Sequence, residues 1–109
     1  MNEKKAIRYL SIAAKAGKVT SGFDDCDKAI RRGKRGLLIL AADAGQNTAR
    51  RAGTLSNTDG LRLFPCEYNK SELSAAIGRG SPVSLILVMD EGLAGAFAAA
   101  YATEQEERI

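Results

Sequence analysis

Two uninterrupted apolar runs, Leu37 to Ala42 and Leu85 to Met89, constrain the fold of this chain more than any other feature. A strand with one face in water alternates apolar and polar residues. A strand that is apolar at every position is covered on both faces by other elements. The segments Gly36–Ala42 and Ser84–Met89 therefore read as central strands with helices above and below. Both are far too short to cross a membrane.

Helical signals fill the gaps between strands. Asn2 to Ala16 places Ile7, Leu10, Ala13 and Ala14 on one stripe, with Lys4, Arg8, Ser11 and Lys15 on the other side and Gly17 as a stop. Lys18 to Ser21 is a short strand. Gly22 opens a helix to about Arg32, with Phe23, Cys26, Ala29 and Ile30 facing inward and Gly33 closing it. Asp43 reads as the cap of a helix from about Gly45 to Ser56. Leu61 to Phe64 is a strand limited by Pro65. Asn69 or Ser71 caps a helix ending at Ile77, and Asp90 caps a final Ala-rich helix that frays in the acidic segment Glu104 to Arg108. Strands alternating with helices predict an α/β fold, a three-layer α/β/α sandwich on a four-stranded mixed sheet. One domain over residues 1–103 with a short acidic tail, 104–109, is expected at this length.

Composition narrows the chemistry. The chain has no histidine, so no Ser-His or Cys-His pair can form, and the commonest general base is missing. Cys26 and Cys66 lie far apart without a CxxC motif, so a zinc site lacks its usual ligands. Neither an enzyme nor a cofactor is expected, and the cysteines read as small core residues. The N-terminus lacks the apolar core of a signal peptide, so cytoplasmic residence is the expectation. The charge is uneven: residues 1–36 carry ten Lys or Arg against four acids, and residues 37–109 carry six against nine. A basic half on a small domain suits a polyanion.

The segment from Gly17 to Gly33 concentrates that charge. A glycine turn leads into a helix start with Asp24 and Asp25, and Lys28, Arg31, Arg32 and Arg35 follow. Pairs at i,i+4, Asp24 with Lys28 and Asp27 with Arg31, make an ordinary solvated face one account of it. Arg32, Lys34 and Arg35 are left over after those pairs. A carboxylate beside cations suits an RNA base better than a phosphate, because it accepts from guanine N1–H and N2–H₂ while the cations hold the backbone. A second candidate is the Gly-framed loop Arg79, Gly80, Ser81, Pro82 and Val83, which enters the last strand and reads otherwise as a plain connection.

Taken together, Gly17-Lys18-Val19, Gly22, Asp24-Asp25, Lys28-Ala29-Ile30, Arg32-Gly33, the run Leu37 to Asp43, Leu73, Ala76-Ile77-Gly78 and Pro82-Val83-Ser84 resemble the kink-turn RNA-binding ribosomal protein superfamily. Its members are of the L-seven-Ae and L-thirty-e type, and the small bacterial YlxQ-type members look most similar. The resemblance implies a sandwich that recognises the tandem sheared G·A pairs of a kink-turn. In that family a Gly-Thr-Asn-Glu segment and a downstream lysine contact the guanines, and the loop before the last strand covers a flipped-out base. By position, Gly22 matches the glycine and Lys28 the lysine. Phe23 replaces the threonine, Asp24 the asparagine and Asp25 the glutamate, and Arg79 to Val83 form the covering loop. The expectation is a monomeric, non-catalytic protein that binds structured RNA, ribosomal RNA among the candidates, alone or with ribonucleoprotein components. Lys28, Asp24 and Asp25 would read bases; Lys18, Arg31, Arg32 and Lys34 would hold phosphates; Val83 would pack on an extruded base. The rival expectation is a protein-interaction adaptor on the same fold.

Overall fold

The computed structural model describes residues 4–107. In chain order the elements are α1 (Lys5–Lys15), β1 (Val19–Ser21), α2 (Phe23–Arg31), β2 (Gly36–Leu40), α3 (Gln46–Leu55), β3 (Leu61–Pro65), α4 (Lys70–Ala76), β4 (Leu85–Val88) and α5 (Glu91–Glu107). The four strands form one mixed sheet in the order β1-β4-β2-β3. β4 pairs antiparallel with β1 and with β2, whereas β2 and β3 run parallel.

The apolar runs explain themselves in this arrangement. β2 and β4 are the two inner strands, and successive residues feed opposite layers. Leu37, Ile39, Ile86 and Val88 join α1, α4 and α5 in one core cluster. Leu38, Leu40, Leu85 and Leu87 join α2 and α3 in the other. Cys26 lies in the second cluster and Cys66 in the first, so the sheet separates the two thiols. Burial pushes the Cys26 thiol up to about 12 and the Cys66 thiol up to about 11. Above the ordinary thiol value of 9.0 the unfolded chain releases these protons and the folded chain keeps them. Their contribution to stability is therefore complete below pH 9 and is lost as pH rises toward 11 and 12. Thermal unfolding followed from pH 7 to 11 should show that decline, and a Cys26→Ala, Cys66→Ala chain should show less of it. Equal slopes would exclude the thiols as its cause.

Three local expectations are corrected by long-range contacts. Asp43 does not cap α3, whose N-cap is Gly45 without a side-chain bond. Its carboxylate instead accepts from the Lys70 amide at the start of α4, at 2.8 Å. Ser11 is not simply one of a polar line with Lys4 and Lys15, because it is half-buried and its hydroxyl donates to the Ala76 carbonyl at 2.7 Å. The segment from Glu104 does not fray: α5 is helical through Glu107, and Arg108 lies outside the described residues. Glu104 accepts the Ala6 amide at 3.0 Å and the Tyr68 hydroxyl. Ala6 is in the first turn of α1, whose own N-cap, Lys4, supplies no side-chain bond. Glu104 thus fills that role from the far end of the chain, on the favourable side of the helix dipole. Asn69 and Asp90 cap α4 and α5 as expected: Asn69 forms a full capping box with Glu72, and Asp90 accepts the Leu93 amide. Among the described residues no helix is long and apolar enough to cross a membrane.

Candidate nucleic-acid interface

Three helices end in one way, and each ending delivers a cation. In α1, α2 and α4 the amide of a glycine bonds back to a carbonyl of the last turn: Gly17 to Ala14, Gly33 to Ile30 and Gly78 to Ala75. The next amide reaches one carbonyl further back, Lys18 to Ala13 at 2.9 Å, Lys34 to Ala29 at 3.0 Å and Arg79 to Ser74 at 2.8 Å. This is the Schellman pattern, which satisfies the orphan carbonyls of a helix C-terminus. A cation beside those carbonyls also complements the negative end of the dipole. Arg35 extends the theme after α2, because its guanidinium donates to the carbonyls of Ile30 and Lys34. It therefore does not share the outer face of α2 with Asp24 and Lys28.

The β1–α2 junction depends on Gly22. Its φ of +89° and ψ of 147° belong to backbone that residues with a Cβ rarely adopt. Its amide donates to Leu85 at 2.8 Å, which ties the start of α2 to the start of β4. Asp24 and Asp25 follow in the exposed first turn. Phe23 turns the other way: it packs on the cluster beneath α2 and α3, and the Arg51 guanidinium lies 3.9 Å from its ring centroid. Asp27 engages Arg31 at 3.2 Å. The matching Asp24–Lys28 pair is not formed, so Lys28 stays exposed without an ion pair among the described residues.

A cleft of about 430 Å³ runs along β1, lined by Val19, Thr20 and Ser21, and brings together residues distant in sequence. Asp25 and Lys28 enter it from α2, Arg32 from the residue that caps its end, and Arg79 from the loop after α4. The two segments singled out from the sequence therefore meet on one surface. Gly80, Ser81 and Pro82 are exposed beside it, but Val83 is not: its side chain is 6% exposed and belongs to the core, and its amide donates to Lys70. Val83 is thus given to the core and not to the cleft, and its burial follows from its place at the entrance to β4.

Lys18 and Lys34 line a second cleft, of about 730 Å³, where β1, β2 and β3 begin and β4 ends. Arg35 and Arg62 line it as well. Sequence reasoning left Arg62 out. Its signal was the alternation Leu61-Arg62-Leu63, which turns Arg62 away from the core cluster that holds its neighbours. Among the described residues no group of three or more His, Cys, Asp or Glu side chains could hold a metal ion.

An α/β/α sandwich with a cation-lined cleft on its edge strand has clear relatives. The chain matches the ribosomal protein L7Ae/L30e/S12e/Gadd45 family over residues 4–98, and it belongs to that family. It is 35% identical over 88 residues to the RNA-binding protein YlxQ of Bacillus subtilis, covering 78% of this chain and 83% of that protein. It is 29% identical over 93 residues to large ribosomal subunit protein eL30 of Methanocaldococcus jannaschii, covering 85% and 82%. A solved structure of a Bacillus halodurans protein of unknown function superposes with a TM-score of 0.82 at 28% identity, covering 92% of this chain and 99% of that one. The Giardia lamblia 15.5kD RNA binding protein shares the fold, with a TM-score of 0.73 at 19% identity over 97% and 92% of the two chains. The two curated relatives are named as an RNA-binding protein and a ribosomal protein, in keeping with the non-catalytic reading of the sequence.

Proposed function

We propose that this chain is a non-catalytic RNA-binding protein of the ribosomal type, and that the β1 cleft recognises a kink-turn-like RNA through its G·A pairs. The observation that carries the reading is the convergence of Asp25, Lys28, Arg32 and Arg79 on one cleft. A carboxylate among three cations offers an acceptor for guanine N–H groups and donors for base edges and phosphates. The names of the YlxQ and eL30 relatives support it. On this reading the protein acts as a monomer in the cytoplasm, on ribosomal or other structured RNA.

The test is a titration into a kink-turn RNA and into a matched duplex with Watson–Crick pairs in place of the G·A pairs, at two salt concentrations. Tight binding that requires the G·A pairs is expected, with the negative salt slope of phosphate contacts. Weak, equal binding to both would remove the reading and favour a protein partner, for which exposed Asp24 and Asp25 on one helix turn are suitable contacts. Lys28→Ala is expected to weaken binding to the kink-turn by about 1–3 kcal/mol, the usual loss for one base-edge contact. The same loss on the G·A-free duplex would reassign Lys28 to the phosphate backbone.

A further inference from the structure

The second cleft is more cationic than the first and has no part in the function proposed above. Lys18, Lys34, Arg35 and Arg62 surround it, with Glu91 the one acid on its lining. Arg35 is engaged by main-chain carbonyls, and its side-chain stem lies against Gly60. Lys18, Lys34 and Arg62 are exposed, and no carboxylate lies within ion-pair distance of any of them among the described residues. Much of the remaining wall is small: Gly17, Gly33 and Gly36 on one side, Ala94, Gly95 and Ala98 of α5 on the other. A cleft of this size, lined by many small residues and by long cations, admits a bulky, solvated anion such as a phosphodiester chain better than a flat aromatic ligand.

The two clefts are neighbours. Val19 lines the first and Lys18 the second; Arg32 lines the first and Gly33 the second. Adjacent Cα atoms are about 3.8 Å apart, so the two linings come within one residue of each other at two places, at the start of β1 and just after α2. Cations line both: Arg79, Lys28 and Arg32 the first, Lys34, Lys18 and Arg62 the second. We propose that the second cleft holds the phosphate backbone of the RNA helix flanking the bound motif. This inference rests on the RNA reading of the first cleft and extends its footprint.

The probes are RNAs that share one kink-turn motif: one with both flanking stems cut back to the motif, and two in which one stem or the other is extended by a helical turn. The protein is used as the full chain and as the Lys18→Ala, Lys34→Ala, Arg62→Ala variant, with thermal unfolding as the check that the variant folds. Extending one of the two stems should tighten binding of the parent about tenfold, and the variant should lose that gain, so that it is weakened more on the extended RNA than on the short one. Its salt slope on the extended RNA should be shallower by about 2 to 3, near one unit per lost phosphate contact. Two results would overturn the inference alone: parent binding to the short RNA with no gain from either extension, or a variant equally weakened on short and long RNA. Failure of the parent to bind any of the three would remove the RNA reading and this inference with it.

Discussion

Gly36→Ala is expected to lower the melting temperature by about 10 °C or more, or to prevent folding outright. A Cβ at Gly36 would stand 2.0 Å from the Val88 carbonyl oxygen, 3.0 Å from its carbon and 3.3 Å from the Met89 Cα. All three are main-chain atoms of the inner strand β4 and its end, so no flexible side chain can swing aside. The φ of +151° adds a second cost, since it lies where L side chains rarely go. Strain of that kind costs of order 1–3 kcal/mol, and forcing extra volume into a packed site costs typically 1–3 kcal/mol. Together these are a large share of the roughly 5–15 kcal/mol that holds a domain folded. Each kcal/mol is worth about 4–8 °C at this size. Gly53→Ala in α3 is the matched control, with nothing within 4 Å of its Cβ, and should hold or gain stability. A change at Gly36 no larger than at Gly53 would show that β2 and β4 separate at little cost.

Phe97→Ala should be comparably damaging, at about 3–5 kcal/mol, the usual range for emptying a buried aromatic site. Phe97 is wholly buried where α5 meets the sheet. Its ring meets Phe64 edge-on at 5.3 Å and stacks on Tyr101 at 6.0 Å, while Tyr101 meets Phe64 at 5.2 Å and Tyr68 at 5.6 Å. Tyr101 also accepts the Glu67 amide at 2.8 Å, so the rings are anchored at their rim. Removing this buried ring opens a void into which its neighbours, held by contacts of their own, relax only partly. Phe97→Leu, which keeps most of the volume, should cost less than about 1.5 kcal/mol. Urea unfolding of the three chains would show the order, and equal losses for Ala and Leu would mean that ring geometry, not volume, sets the stability. The cluster lies on the α1, α4 and α5 side of the sheet, away from α2. None of the four rings lines the β1 cleft, so affinity for a short kink-turn RNA measured well below the melting temperature should be unchanged.

What could be read from the sequence was whatever depends on neighbours a few residues away. The runs at Leu37 and Leu85, the glycine stops at Gly17, Gly33 and Gly78, and the Asn69 cap follow from periodicity and turn chemistry. What could not be read was where a side chain goes when its partner is far along the chain. Asp43 sits where a local cap belongs, yet the Lys70 amide competes for it successfully. Glu104 looks like part of a solvated acidic segment until the start of α1 is placed beside it. At the site, the sequence set Lys28 apart as a base contact and grouped Arg32 with Lys18 and Lys34 as phosphate contacts. The structure puts Arg32 beside Lys28 in one cleft and the two lysines in the other, a separation that depends on how β1 and α2 cross the sheet edge. Val83 showed the same limit, its aliphatic character being equally suited to a base and to the core that holds it.

The bond from Glu104 to the Ala6 amide spans 98 residues and has a consequence for the order of events during synthesis. At roughly 5–20 residues per second, the first helix is made some 5–20 seconds before the residue that closes its leading turn exists. Until then α1 carries open amides and an apolar stripe with its partner helix not yet made. The docking of α5 closes that turn and holds the two helices together like a clasp.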